Sequence, residues 1–397
     1  MRTRPLRASI TLFVTLGALL VPAVPLQAQE ARAVSAPSPI VRPPELERDV
    51  QFWIKVYTQV TTSEGFLHDE HNLGVIYATV KFDPDVSSSE RRESLDRLRD
   101  KYRAMLKRLA QGATDLSPEE DKLREMFGVE ASPARFTQAM DEIRFQLGQA
   151  DRFKAGLVRS GAWEAHIADT LANLGLPPEI SALPHVESSF DPTAYSKVGA
   201  SGLWQFMRST GRRFLRIDDA VDERMDPFRA TEAAAQLLDF NYRLLGSWPL
   251  AITAYNHGAA GMARARDAMG TTDIARIVRL HRSPTFGFAS RNFYVCFLAA
   301  LAIDRDPEKY FGPLERRPEV HFAEVTMPAF VPVASLEKVL KIKRADLEAL
   351  NPALRSTVWL GARHVPKGYR LRLPTSAGQW TAEMLAARLS PDELYAG

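Results

Sequence analysis

The sequence of 397 residues contains a single cysteine, Cys296, which lies inside the apolar run at residues 293–303. One thiol cannot form an internal disulfide, and an apolar neighbourhood predicts a buried, unreactive side chain. Because Cys296 is far from the N-terminus, no cysteine is placed to carry a lipid behind a leader segment. Residues 68–71, His-Asp-Glu-His, are metal-ligand types, but without other clustered histidines or cysteines they predict a turn or a surface segment.

The chain also lacks a marked excess of either positive or negative charge. The chain has 51 lysines and arginines against 48 aspartates and glutamates, and three of the arginines fall within the first seven residues. Without those three the counts are 48 and 48, so the remaining chain is formally neutral. A neutral chain has no general electrostatic attraction for nucleic acid, and we expect no such partner.

A long hydrophobic run occurs at the N-terminus. Residues 8–26 are apolar, follow Arg2, Arg4 and Arg7, and precede Gln-Ala-Gln at 27–29. This order is typical of a signal peptide, which we expect to be cleaved near residue 28. The sequence therefore predicts an exported, periplasmic protein. A retained anchor is the alternative, because the run is long enough to span a bilayer.

Composition and periodicity favour a mainly α-helical protein and divide it into segments. The expected order is a signal peptide at 1–28, a linker at 29–45, a helical N-terminal region at 46–150, a central helical domain at 151–305, a linker at 306–328, a small α+β module at 329–374 and a tail at 375–397.

Within these segments the hydrophobic spacing predicts individual elements. Helices are expected at 88–109, 117–127, 133–148 and 151–173, and almost continuously from 178 to 304. Two stretches rich in aromatic and β-branched residues, 50–60 and 73–82, fit either strands or short helices.

The stretch 183-LPHVESSFDP-192 places Glu187 at the end of an apolar helical run. A helix C-terminus carries partial negative charge, which disfavours a second negative charge and raises a carboxyl pKa. That contribution is small, so apolar neighbours must supply most of the desolvation that a general acid needs near neutral pH. Four side chains are candidates for these apolar walls: Phe190, Trp204, Met207 and Tyr255.

Three motifs in a fixed order distinguish this glutamate from an ordinary solvated one. Glu-Ser at 187–188 precedes Ser-x-x-Gly-Ala-x-Gly-Leu-x-Gln-x-Met at 196–207 and Ala-Tyr-Asn at 254–256. In this order they resemble the motifs of the family 1 lytic transglycosylases, the Slt-type peptidoglycan-cleaving enzymes, and most closely the D-type murein transglycosylase subgroup. The resemblance covers about 150–305 and implies a lysozyme-like catalytic domain of goose (SLT) type.

The resemblance also implies roles for single residues. Glu187 corresponds to the one catalytic glutamate, acid first and base second, and Ser188 takes a mostly structural place beside it. Tyr255 falls near the acid, and Asn256 helps to hold that loop. Trp204 stands where many relatives have methionine, although the D-type subgroup also has tryptophan. Three residues fall at positions that line the cleft and contact the sugar or its N-acetyl group: Ser196, Gln205 and Met207.

The reaction implied by the resemblance needs one carboxyl group. Glu187 would protonate the oxygen between N-acetylmuramic acid and N-acetylglucosamine, the 2-acetamido group would stabilise the anomeric carbon, and the C6 hydroxyl would attack to give 1,6-anhydromuramic acid. Ordinary glycosidases use two carboxylates, but the nearest second acid, Asp191, precedes a proline and is interpreted as a turn residue. No metal or cofactor is required. A lysozyme-type muramidase and a non-catalytic wall-binding scaffold are the alternatives.

The C-terminal module resembles a degenerate LysM glycan-binding repeat through ADLEALNP at 345–352 and KGYRLRLP at 367–374. A packing module without a ligand is an equal alternative, and Trp359 is the candidate for sugar stacking. The expected partner is the peptidoglycan glycan strand. Protein partners in the cell wall are not identified by the sequence, and we expect a monomer.

Overall fold

The computed structural model describes residues 39–128 and 130–395. The predicted signal peptide at 1–28 and the first part of the predicted linker at 29–45 lie outside these residues. From Pro39 onward the chain clusters into one unit. Within the described residues, none of the helices combines the length and the apolar character that crossing a membrane requires.

Helices dominate the described chain. In chain order they are α1 (Glu47–Thr58), α2 (Ser88–Ala110), α3 (Pro118–Phe127), α4 (Pro133–Ala139), α5 (Ala150–Ser160), α6 (Glu164–Asn173), α7 (Leu183–Glu187), α8 (Arg208–Gly211), α9 (Pro227–Leu245), α10 (Trp248–His257), α11 (Ala259–Met269), α12 (Ile274–Leu280), α13 (Phe288–Arg305), α14 (Glu308–Phe311), α15 (Val333–Leu340), α16 (Arg344–Leu350), α17 (Ser356–Trp359) and α18 (Ala382–Ala386). The strands are β1 (Glu64–Asp69), β2 (Ile76–Lys81), β3 (Ile143–Leu147), β4 (Ala323–Thr326) and β5 (Arg370–Leu373).

Local signals in the sequence set several helix ends. α2 and α3 each begin with a capping box, formed by Ser87 with Glu90 and by Ser117 with Glu120. α9 ends at Gly246, which adopts the left-handed conformation that glycine tolerates without strain. The predictions of helices at 88–109 and 117–127 are confirmed by these elements.

The N-terminal region contains a three-stranded antiparallel sheet of order β2-β1-β3, so the prediction that residues 46–150 are helical is wrong for this part. β3 lies in the second half of the helix expected at 133–148. It pairs with β1 from Gly65 opposite Leu147 to Asp69 opposite Ile143, and this pairing overrides the local helical pattern. Of the two undecided stretches, 50–60 lies largely in α1 and 73–82 contains β2.

The prediction of a turn or a surface segment at 68–71 is wrong for His68 and Asp69, whereas Glu70 and His71 form a partly exposed bend. His68 and Asp69 end β1 and are fully buried. Arg135 of α4 reaches Asp69 at 2.6 Å, and desolvation lowers the pKa of His68 to about 4. Asp69 therefore joins the end of β1 to α4 through an ion pair.

One hydrophobic core continues from the N-terminal region into the central helices. α1 packs against α13, where the indole N–H of Trp53 donates to the side-chain oxygen of Asn292 at 3.3 Å. The backbone N–H of Gln149 donates to the carbonyl of Val56 at 2.9 Å, just before α5 begins. The N-terminal region therefore fixes the position of α5.

The central domain is less helical than predicted. Between α7 and α9 the chain forms the short helix α8, a 3-10 turn at Glu223–Met225 and isolated bridges that join Tyr195 to Ser201 and Ser201 to Phe206. The prediction of nearly continuous helix from 178 to 304 is wrong here. Gly202 has φ +78, a conformation that ends regular helix.

The C-terminal module is longer than the predicted range of 329–374. β4, which lies in the predicted linker, pairs antiparallel with β5 and encloses α15, α16 and α17. The predicted tail also belongs to it, because Leu385 and Leu389 are buried in its core and Tyr395 pairs with Phe330. The module therefore extends from Ala323 to Tyr395.

Candidate active site

Glu187 is the last residue of α7, a five-residue helix that continues from a 3-10 turn at Pro178–Ala182. The chain then reverses through Ser189 and Phe190, which have φ +52 and +54. Non-glycine residues seldom adopt such angles, and each costs about 1 kcal/mol or more, so the surrounding structure must hold them.

α5 supplies that support. The guanidinium group of Arg159 donates to the carbonyl oxygens of Ser189 at 2.6 Å and Phe190 at 3.1 Å. Gly156, one turn earlier, lets the helix approach, since a Cβ there would lie 2.8 Å from the Ser189 carbonyl oxygen. The strained residues that follow Glu187 are therefore held against α5.

His185 is buried and connects α7 to neighbouring helices. The ring of His185 stacks on Phe153 with centroids 4.7 Å apart, and its Nε2 lies 3.3 Å from a carboxylate oxygen of Asp304 on α13. Arg316 also contacts Asp304 at 3.3 Å and pairs with Glu164. These contacts tie α7 to α5, α13 and the segment after α14.

The Glu187 carboxyl is held in its neutral form by its surroundings. It is half-buried at the cleft, and desolvation raises its pKa to about 8. Within residues 39–128 and 130–395, no donor or cation is recorded against this carboxyl that would favour its charged form. The tyrosines Tyr57 and Tyr255 are close enough for the Glu187 charge to contribute to their raised pKa values, after their own burial.

Of the four predicted apolar walls, Tyr255 lies close enough to feel the charge of Glu187 and is half-buried. Phe190 and Trp204 are buried, whereas Met207 is 42% exposed. The indole N–H of Trp204 donates to Thr231 at 2.8 Å, and the hydroxyl of Tyr255 donates to the Trp204 carbonyl at the same distance. These two bonds connect the 196–207 segment to α9 and α10.

Glu187 opens onto a cleft of about 520 Å³ between α5 and the 186–194 segment. The lining residues are Gln149, Asp151, Arg152, Ala155, Arg159, Val186, Glu187, Ser188, Ser189, Asp191 and Ala194. The size suits part of a carbohydrate chain, and the lining is mostly polar.

The polar side chains of Ser188 and of the second motif, at 196–207, bond mainly to backbone groups of the 188–205 segment. Ser188 donates to the Leu203 carbonyl at 2.7 Å, and Ser196 accepts from the Ala200 N–H at 2.9 Å. Gln205, with φ +48, donates to the carbonyl of Gly202 at 2.8 Å and to that of Ala194 at 3.1 Å. Of the motif residues, Glu187 and Ser188 line the cleft.

Asn256 lies at the exposed end of α10, where its side-chain oxygen accepts from Ser290 at 3.3 Å. The contact ties the end of α10 to α13. Asp191 lines the cleft but accepts from the backbone N–H and hydroxyl of Thr193 at 2.9 and 2.7 Å, the geometry of a turn residue.

Residues 165–278 match the family model described as the transglycosylase SLT domain. This range contains Glu187 and all three motifs. We refer to residues 165–278 as the SLT domain, after the family model that they match. The resemblance that the sequence predicts is therefore confirmed for this domain.

Known proteins resemble parts of the chain. Over 131 residues it is 35% identical to membrane-bound lytic murein transglycosylase D of Escherichia coli (strain K12), a match that spans 32% of this chain and 29% of that protein. Over 102 residues it is 34% identical to a putative tributyltin chloride resistance protein of Alteromonas sp. (strain M-1), covering 25% and 49% of the two chains. The 70 kDa soluble lytic transglycosylase of Escherichia coli superposes with TM-score 0.27 and 20% identity, over 62% of this chain and 33% of that one.

Part of the cleft lies outside the SLT domain. α5 precedes residue 165, yet it contributes Arg152, Ala155 and Arg159 to the cleft wall. These residues carry no functional signal in the sequence, since charged residues at helical spacing are typical of a solvated face. The signal that could have found them is Gly156, a glycine inside a helix between two arginines, which indicates a close approach.

Across the described ranges, no group of three or more histidine, cysteine, aspartate or glutamate side chains is arranged to hold an ion. Trp359 is not available for sugar stacking, because it is buried and its indole N–H donates to the Leu354 carbonyl at 2.9 Å.

Proposed function

We propose that the protein is a peptidoglycan lytic transglycosylase that cleaves the β-1,4 bond between N-acetylmuramic acid and N-acetylglucosamine. The observation that carries the proposal is Glu187, a carboxyl with a pKa of about 8 on the wall of a cleft within the SLT domain. Such a group is protonated at neutral pH and can therefore act as a general acid.

Glu187 gives its proton to the glycosidic oxygen as the bond to the anomeric carbon breaks. The 2-acetamido oxygen of the same sugar stabilises the positive charge that develops. The Glu187 carboxylate then takes the proton of the C6 hydroxyl, whose oxygen bonds to the anomeric carbon and gives 1,6-anhydro-N-acetylmuramic acid. The proton returns to Glu187, and no water is consumed.

The state of the neighbouring carboxylates favours a mechanism with one acid. Asp191 is held by Thr193, and both carboxylate oxygens of Asp151 accept from Thr62. Although burial opposes it, hydrogen bonding by Thr62 lowers the pKa of Asp151. Both carboxylates are thus engaged by neighbouring threonines, which supports a mechanism in which Glu187 acts alone.

Ser188, Ser196, Gln205, Tyr255 and Asn256 act in this proposal mainly by holding the cleft, through the bonds described above. Met207 is exposed beyond the cleft and is available to contact a longer strand. The enzyme would act in the periplasm after export. Glycan binding by the C-terminal module would have to use residues other than Trp359.

The test is mass spectrometry of peptidoglycan digested by the purified protein and by Glu187→Gln. We expect muropeptides one water lighter than hydrolysis products from the wild type and at least a thousandfold lower rate from the variant. Glu125→Gln, on the exposed side of α3, is the control for a neutralised glutamate. Products that contain the added water would indicate a muramidase, and bound but uncleaved glycan would indicate a scaffold.

Asp191→Asn separates the one-acid mechanism from the two-carboxylate alternative. In the one-acid mechanism this variant retains a substantial fraction of the wild-type rate. A loss as large as that of Glu187→Gln would show that Asp191 takes part in the chemistry.

A further inference from the structure

The cleft wall formed by α5 carries a cation that the proposed chemistry does not use. Arg152, Ala155 and Arg159 follow one another at i, i+3 and i+7, so they lie on one face of the helix, and all three line the cleft that contains Glu187. Ala155 is small, which leaves space between the two guanidinium groups.

Arg152 is exposed and its donors are free. No hydrogen bond or ion pair of its side chain is recorded within residues 39–128 and 130–395, whereas Arg159 is bonded to the carbonyls of Ser189 and Phe190. The neighbouring acid Asp151 does not neutralise Arg152 by contact, because both its oxygens accept from Thr62.

Helix stability does not explain a cation at this position. α5 begins at Ala150, so Arg152 lies in the first turn, where the helix dipole disfavours positive charge. The start of the helix is nevertheless fixed, since the backbone N–H of Ala150 donates to the Val60 carbonyl at 2.9 Å. Arg152 is therefore presented to the cleft from a rigid support.

We propose that Arg152 binds a carboxylate carried by the glycan strand beside the bond that Glu187 cleaves. A free guanidinium group matches a carboxylate in a two-bond geometry, and a neutral sugar offers no equal partner. The proposal rests on the proposed function. The carboxylate has two possible sources: the peptide stem of an intact strand, or the lactyl group of a strand from which the peptide has been removed.

This recognition would come from outside the SLT domain, because α5 precedes residue 165. The segment before the domain would then take part in substrate selection, together with the N-terminal region that anchors α5.

The experiment compares the wild type, Arg152→Gln and Lys154→Gln on three forms of the same strands: peptide-bearing, peptide-stripped, and peptide-bearing with carboxylates converted to methylamides. Lys154 is the matched control, since it is an exposed cation of α5 that does not line the cleft. Steady-state rates give KM and kcat, and thermal melting checks that the variants fold.

We expect Arg152→Gln to raise KM roughly 10- to 100-fold on strands with carboxylates, with little change in kcat, no change on methylamide strands and no decrease in Tm. Lys154→Gln should match the wild type on all three. An effect on peptide-stripped strands alone identifies the lactyl carboxylate, and an effect on peptide-bearing strands alone identifies the stem. An effect on both forms shows that Arg152 accepts a carboxylate from either source. Equal KM values for Arg152→Gln and the wild type, or an equal loss on methylamide strands, would overturn the proposal. Anhydro products of the wild type test the proposed function separately.

Discussion

Glu187 combines two features that act in the same direction. Its half-buried position removes water from the carboxyl, and the end of α7 places backbone carbonyls rather than N–H groups nearby. Both favour the neutral form, and desolvation is the larger cause of a pKa near 8. The carboxyl is thus an acid at neutral pH, and its conjugate base is strong enough to accept a proton in a second step.

The raised pKa makes Glu187 a source of instability at high pH. The folded protein retains a proton that the unfolded chain loses near pH 4.5, so stability falls as pH rises from 4.5 to about 8 and then stays constant. Glu187→Gln removes this effect. Since one pKa unit corresponds to ~1.4 kcal/mol and cleft water screens part of it, we expect the variant to be about 2 kcal/mol more stable than wild type at pH 9.

Urea denaturation at pH 4 and pH 9 measures this difference. At pH 4 the variant and the wild type should have similar stability, because the carboxyl is protonated in both the folded and the unfolded wild type. A variant that is less stable than the wild type at pH 9 would show that the carboxyl is charged and favourably bound.

Gly202 is the glycine whose replacement should disturb the site most. It has φ +78, and a Cβ would overlap the carbonyl oxygen of Arg224. Gly199 has φ +89 but nothing within 4 Å of a Cβ. We expect Gly202→Ala to cost about 3 kcal/mol or more and Gly199→Ala about 1 kcal/mol, because only the former adds a clash to the strain. Equal losses in urea denaturation would contradict this account.

The sequence predicts some of the site and misses the rest for identifiable reasons. Glu187 can be identified from the sequence because its motif is contiguous and is followed, in a fixed order, by two others. The exposure of Met207 cannot be read from an apolar residue type, and the bonds of Gln205 to backbone carbonyls depend on a loop closed in three dimensions. Arg159 contacts carbonyls 30 and 31 residues away, a relation that no local pattern contains.

At the scale of elements, the C-terminal module docks on the SLT domain through a buried ion pair. Arg372 of β5 contacts Asp226, the N-cap of α9, at 2.6 Å, and both side chains are 5% exposed. The guanidinium group also lies 4.7 Å from the ring centroid of Phe228 and 4.6 Å from that of Phe322. These contacts attach the module to the start of α9.

Arg372→Met should leave Asp226 buried without its cation and cost about 3–5 kcal/mol. The double variant Asp226→Asn/Arg372→Met should recover at least half of that loss, because the asparagine oxygen still caps α9 and no buried charge remains. Thermal or urea denaturation of both variants checks the cycle. A double variant no more stable than Arg372→Met would show that the ion pair is not what joins the module to α9.

A helix is predicted correctly when its own residues contain both its start signal and its amphipathic spacing. α2 carries its own capping box and amphipathic spacing, and the structure contains it at nearly the predicted bounds. β3 and β4 are too short for a sequence pattern to indicate them. They form because strands that are distant in the sequence pair with them. Their locations are consequences of tertiary contact.

For the whole molecule, the matched family segment is not a self-sufficient unit. The hydrophobic core that continues into this segment includes Phe52, Trp53 and Tyr57 of α1, and α13 lies entirely beyond residue 278. Removing the N-terminal region would expose the face of α13 that α1 covers, and it would release the start of α5.

We therefore expect a fragment of residues 150–305 to lack a cooperative thermal transition, whereas residues 39–395 melt cooperatively. Circular dichroism and binding of a hydrophobic dye distinguish the two, since the fragment would expose several large apolar side chains. A fragment that melts cooperatively at the same temperature as the longer chain would show that the N-terminal region is dispensable for the fold.

The central claim is that Glu187 is protonated at neutral pH in the free protein. Titration by carbon-13 NMR, with glutamate side-chain carboxyl carbons labelled and Glu187→Gln used to assign the resonance, measures this directly. We expect a midpoint near pH 8. A midpoint near 4.5, the ordinary value, would mean that Glu187 is ionised in the free protein and would contradict its role as the acid.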